Sequence, residues 1–133
     1  MKYTGSCHCK KVTFEVDLPE SIECERCNCS ICSKAGFVHL ILPLSKFKLI
    51  SGKDDLTTYT FNTGVAKHTF CKLCGVKPFY TPRSNPDGID INLNCLDELP
   101  KEVRIVEFDG RNWEKNASAL AHKSKSSNEA NKR

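Results

Sequence analysis

Apolar and polar positions alternate along most of this chain. Val12, Phe14 and Val16 interleave with Lys11, Thr13 and Glu15, the period-two pattern of a half-buried strand. Phe37 to Leu44 is a nearly continuous apolar run broken at Pro43, and it predicts a buried strand. Phe47–Ile50 follows, closed by Ser51-Gly52. Thr57–Phe61 is β-branched and aromatic, Asn62-Thr63-Gly64 marks a turn, and Ala66–Phe70 runs back as a hairpin. Pro78–Thr81 is a short segment, and Asn85-Pro86-Asp87-Gly88 is a strong turn signal. Ile89, Ile91 and Leu93 then alternate, and Val103, Ile105 and Phe108 mark a late strand. The pattern predicts an all-β body of about eight short strands, as a barrel, sandwich or similar compact sheet fold. Residues 114–122 leave room for one or two helical turns. Residues 115–133 form a basic tail, expected to be disordered because it is rich in Ser, Lys and Asn.

The chain has 133 residues, 39% of them hydrophobic, so a core can form and one domain over residues 1–114 is expected. No apolar run approaches the ~18 residues of a membrane helix, and no apolar stretch follows the first residues as in a secretory signal. The expected compartment is therefore the reducing cytoplasm or nucleus. Residues 1–114 hold 15 Lys and Arg against 15 Asp and Glu, so the net charge of +4 lies on the tail, where Lys115, Lys123, Lys125, Lys132 and Arg133 face only Glu129. A neutral body argues against a broad phosphate-binding face; no membrane partner is expected, and a nucleic acid enters only on the alternative reading of the chain as a non-catalytic, metal-stabilised module that binds a protein or nucleic-acid partner.

Nine cysteines change the picture. Their number is odd, and dense cysteine in an intracellular chain points to metal more than to disulfides. Seven fall into three groups: Cys7-His8-Cys9, Cys27-Asn28-Cys29-Ser30-Ile31-Cys32 and Cys71-Lys72-Leu73-Cys74. Two thiolates one or two residues apart can converge on one ion from a tight turn. Soft thiolates select zinc, copper(I) or iron–sulfur clusters, and zinc is the simplest occupant. Seven ligands divide as four plus three. A closed four-thiolate site is structural, whereas a three-thiolate site keeps a position open. Spacing leaves the pairing unsettled. Cys7 and Cys9 can join Cys71 and Cys74, or Cys29 and Cys32 can join them as a ribbon, though across 38 residues rather than the usual ~15–20. A redox role for Cys71–Cys74 lacks the strand-then-helix surroundings of a thioredoxin-like motif. Cys24 and Cys95 are isolated and read as buried or idle thiols, with Cys24 a possible substitute for Cys27. His39 and His68 lie in strand-like runs and read as structural. A zinc deaminase would need a His-x-Glu beside Pro-Cys-x-x-Cys, which is absent.

The three motifs in order, with Gly5-Ser6 before the first and Phe70 and Gly75 around the last, resemble the glutathione-dependent formaldehyde-activating enzyme family over about residues 3–114. Within it the chain is most similar to the centromere protein V-like members, through Tyr59–Thr63, His68–Cys71, Phe79–Pro86, Cys95–Glu98 and Asn112–Glu114. The resemblance implies a β-tent fold of short antiparallel strands stapled by two zinc ions. It implies a structural site at Cys7, Cys9, Cys71 and Cys74 and a catalytic site at Cys27, Cys29 and Cys32. It also implies a carbon–sulfur lyase that joins a small thiol such as glutathione to a small carbonyl such as formaldehyde. Lys34 and Arg83 are candidate carboxylate contacts, or else ordinary surface cations. Many family members have glycine after the second cysteine. Lys10 stands there in this chain, so the backbone at that point is not expected to need a glycine conformation.

Overall fold

The computed structural model describes residues 1–125. Ten strands form, in three antiparallel or mixed sheets. Strands β1 (Lys2–Ser6), β2 (Thr13–Asp17) and β5 (Phe47–Ser51) make one antiparallel sheet in the order β1-β2-β5. The largest sheet runs β10-β3-β4-β9-β8, from β3 (Ser21–Cys27), β4 (Val38–Pro43), β8 (Phe79–Tyr80), β9 (Gly88–Asn92) and β10 (Glu102–Phe108). A two-stranded hairpin joins β6 (Leu56–Tyr59) to β7 (His68–Cys71). Helix α1 (Ser30–Ala35) separates β3 from β4, and α2 (Trp113–Asn116) follows β10.

The alternation at residues 12–16 buries Val12, Phe14 and Val16 almost completely, and the apolar run of β4 places Leu40 and Leu42 in the same core as Ile89 and Ile91 of β9. Phe14, Phe47 and Phe79 meet edge-on or tilted with centroids 4.8–6.0 Å apart, which knits the β1-β2-β5 sheet to the large one. Cys24 is fully buried in this core, as expected of a small apolar side chain. Burial pushes its thiol up to about 12, so it stays a neutral filler.

The expectation of antiparallel strands throughout needs one correction. β10 pairs with β3 in parallel, Ile105 opposite Cys24 and Phe108 opposite Cys27. The long return from β3 through the whole body to β10 makes this possible, since a parallel pair needs a crossover. The tail also needs correcting over residues 115–125. They continue α2 into a 3₁₀ helix, Ala117–Ser124, that packs on the body. Asn85 donates to Leu120 O and Ser124 Oγ, Ser124 donates to Asp87, and Lys123 reaches the buried Glu25 at 2.5 Å. The tail's carbonyl, hydroxyl and ammonium groups find partners on the body, which its composition alone does not reveal. Residues 126–133 lie outside the described part of the chain. Among the described residues no helix is long and apolar enough to cross a membrane.

Candidate metal centres and the cavity beside them

Cys7, Cys9, Cys71 and Cys74 converge, with their sulfurs within 4.8 Å of one another. Two turns deliver them. The first follows β1, where Lys10 N donates to Cys7 O and Val12 N donates to the Cys7 sulfur at 3.4 Å. The second follows β7, where Gly75 N donates to Cys71 O. The sulfurs of Cys7 and Cys9, and of Cys9 and Cys71, are 3.6 Å apart. A tetrahedron with metal–sulfur bonds of ~2.3 Å has edges of about 3.8 Å, so the set fits a soft divalent ion. Burial opposes ionisation of Cys74, but the N–H groups of Cys9 and Val76 and the thiols of Cys71 and Cys7 hold it down to about 6. The structure thus brings together the first of the two pairings left open by spacing. Lys10 departs from expectation, because its φ is +66°, the left-handed region. The turn does impose a glycine-like backbone, and a lysine adopts it at a cost of roughly 1–2 kcal/mol.

The second cluster lies at the C-terminal end of β3. Cys27 ends that strand, Cys29 caps α1, and Cys32 sits in the helix's first turn. The Cys29 sulfur accepts from Cys32 N at 3.4 Å. Asn28 ties the loop to the chain after β10, donating to Asp109 and accepting from Arg111 N at 2.9 Å. Gly110 lies so close that a side chain there would collide with the Cys27 sulfur. The sulfurs of Cys27 and Cys32 lie within 4.8 Å of each other, and Cys29 stands outside that group at the helix cap. Donation from Cys27 and Cys32, aided by the N–H groups of Cys32 and Ile31, holds Cys29 down to about 2, and the same pairing drives Cys32 up.

The sulfurs open onto a cavity of about 390 Å³. Its lining includes His39, His68, Tyr80, Asp90 and Arg83 as well as Cys27, Cys29 and Cys32. His39, which reads from the sequence as a structural strand residue, also borders this cavity. It lies with Cys27 and Cys32 in a group whose donor atoms are all within 4.8 Å, close enough for the three to hold one ion. Its Nδ1 meets Asp90 Oδ2 at 2.5 Å; burial lowers its basicity, but the Asp90 carboxylate outweighs that and pushes it up. Only its position in the sheet beside Asp90 gives it away, and no local spacing signals that. His68 stacks on Tyr80 at 4.8 Å and takes a hydrogen bond from Lys77. Arg83 lies flat over Trp113 at 3.8 Å and pairs with Glu114 at 2.6 Å, while Arg111 also reaches the cavity. Lys34 is exposed on α1 and is not among the lining residues. Of the tail cations, Lys123 pairs with Glu25 and Lys125 with Asp87, so neither is presented as a free basic arm.

Residues 2–113 match the family described as glutathione-dependent formaldehyde-activating enzyme. Among solved structures, the crystal structure of a Rhodobacter sphaeroides protein is similar. It is 35% identical, covers 77% of this chain and 99% of that one, and has a TM-score of 0.68.

Proposed function

The chain belongs to the glutathione-dependent formaldehyde-activating enzyme family, and from that premise we propose that it is a zinc-dependent carbon–sulfur lyase that joins a small thiol to a small carbonyl. Glutathione and formaldehyde are the substrates the family name suggests. The observation that carries this reading is the asymmetry of the two clusters: Cys27, Cys29 and Cys32 border a cavity, and Cys7, Cys9, Cys71 and Cys74 do not.

Zinc held by three thiolates has a formal charge of −1 and is a weak activator of water, but a thiol bound to it is deprotonated, whereas a free thiol near pKa 8.5 is mostly not. The remaining chemistry falls to this chain's residues. Carbon–sulfur bond formation converts the carbonyl π pair into an O–H bond, and the thiol's proton balances the new oxygen; no oxidant or reductant is consumed. Burial keeps the Tyr80 hydroxyl protonated, so in the cavity it donates to a carbonyl oxygen and does not remove a proton. Arg83 and Arg111 offer planar guanidinium groups to a peptide carboxylate. The stack on Trp113 holds Arg83 in place for this. The cavity volume sits at the lower end of the ~300–1,000 Å³ of small-molecule sites, suited to a tripeptide. The centromere protein V-like placement is part of this proposal and rests on the sequence stretches quoted for it.

The test is the exchange between glutathione, formaldehyde and S-hydroxymethylglutathione, followed by NMR with zinc-loaded protein. Acceleration over the spontaneous exchange is expected, and Cys27→Ser should abolish it. Metal-replete protein that leaves the exchange rate unchanged would overturn the lyase reading.

A further inference from the structure

Among the described residues, three buried side-chain polar atoms have no hydrogen-bond partner: Glu25 Oε1, His39 Nε2 and Asp90 Oδ1. All three residues line the cavity beside the second cysteine cluster. Buried polar groups are nearly always satisfied, and leaving one unpaired costs roughly 1–3 kcal/mol. Three orphans in one place imply that something else belongs there.

His39 is the most informative of them. The residue is 5% exposed. Phe37 packs on it at 4.7 Å and Tyr80 at 6.0 Å between centroids. Asp90, 1% exposed, holds Nδ1, which sets the tautomer so that the Nε2 lone pair faces away from the carboxylate. A ring nitrogen of His39 lies within 4.8 Å of the sulfurs of both Cys27 and Cys32, and Nε2 is the nitrogen left free. A carboxylate on one imidazole nitrogen and soft ligands near the other is the arrangement of a metal-bound histidine with its supporting carboxylate.

We infer that His39 is a protein donor of the second metal centre together with Cys27 and Cys32, oriented by Asp90, so that the resting site includes a histidine and is not built of cysteines alone. This rests on the thiol-binding reading above for its consequence. A thiol entering the cavity would compete with His39 for this centre, and a displaced Nε2 would take up the proton that the thiol gives up. The resulting imidazolium stays paired with Asp90. Asp90 is thus a positioning residue, and His39 guards the ion against loss and against adventitious ligands until a thiol arrives.

The experiment uses the full chain loaded with the NMR-active isotope of cadmium at both sites. One of the two cadmium resonances is expected to show scalar coupling to the His39 ring, and the other to cysteine protons only. Two filled sites that both couple to cysteines alone would overturn the assignment. Adding saturating glutathione separates this inference from the proposed function. Loss of the imidazole coupling supports both. Coupling that survives keeps His39 as a donor and overturns the thiol reading instead. As a second variant, Asp90→Asn should weaken the second ion's binding by about 10- to 100-fold while the four-cysteine site keeps its ion. Unchanged affinity at both sites would count against Asp90 as the orienting group.

Discussion

The two cysteine clusters use the same side chain in opposite ways. The first takes its sulfurs from two turns more than sixty residues apart, and Cys9 touches Cys71 across that gap at 3.6 Å. The second takes all three from the six residues between Cys27 and Cys32, around the start of one short helix. A metal in the first cross-links two distant turns; the sulfurs of the second all lie in one local segment. The first has its donors spent on one another, whereas the second borders a cavity with aromatic walls and guanidinium groups. The contrast teaches that sequence separation between ligands, more than their number, distinguishes an ion that holds a fold from one that is free to do chemistry.

The largest expected effect breaks the first cluster. A structural zinc contributes roughly 10–16 kcal/mol of apparent binding energy, against a net domain stability of roughly 5–15 kcal/mol. Cys71→Ser is therefore expected to give insoluble or rapidly proteolysed protein. Soluble protein with an unchanged melting curve would show that this cluster is not the staple. The second cluster should respond differently. Cys32→Ser is expected to remain soluble and folded, to carry one ion per chain fewer, and to lose the glutathione-dependent exchange. Its circular dichroism and its metal content, measured on one sample, check both halves.

A smaller effect is expected at His68, between the two clusters in sequence. Burial, reinforced by Lys77, lowers its pKa from 6.5 to about 4. Between those values the unfolded chain holds a proton that the folded chain does not, so acidification through pH 6.5 to 4 removes stability. The expected contribution is about 1–3 kcal/mol. His68→Phe keeps the stack on Tyr80 but loses that proton, so urea unfolding at pH 7 and near pH 4.5 should show a smaller acid penalty in the variant than in the parent. Equal penalties would mean the ring is not held neutral. The smallest expected effect is at Lys10. Lys10→Gly relieves a left-handed backbone at the first cluster and should stabilise the protein by about 1 kcal/mol, raising its melting temperature by a few degrees.

Much of this architecture was legible in the residues. The alternation at residues 12–16, the apolar run that becomes β4 and the turn signals around residues 62–64 and 85–88 all fall where the structure places strands and turns. Of the four-plus-three division of the cysteines, the structure gathers the four; at the second cluster the converging donors are Cys27, Cys32 and His39, with Cys29 beside them at the start of α1. What escaped was long-range. β3 carries Glu23, Glu25 and Arg26 between its apolar positions, and Glu25 is buried only because Lys123, 98 residues later, reaches it. No window around residue 25 contains that partner. β1 is short and nearly all polar, and its pairing with β2 reveals it rather than its own pattern. His39 looked structural because its meaning depends on Asp90, 51 residues away, and on a strand order in which β4 and β9 are neighbours. Lys10 looked permissive because a side chain was read as a statement about its backbone.

The most direct measurement of the central claim is an absorption titration of the protein carrying cobalt in both clusters, with glutathione added stepwise. Unlike sites predict that one set of cobalt bands changes and saturates at one thiol per chain, while the other stays constant. Two sets of bands that both stay constant, or that shift together, would contradict the division into a closed staple and a thiol-accepting centre.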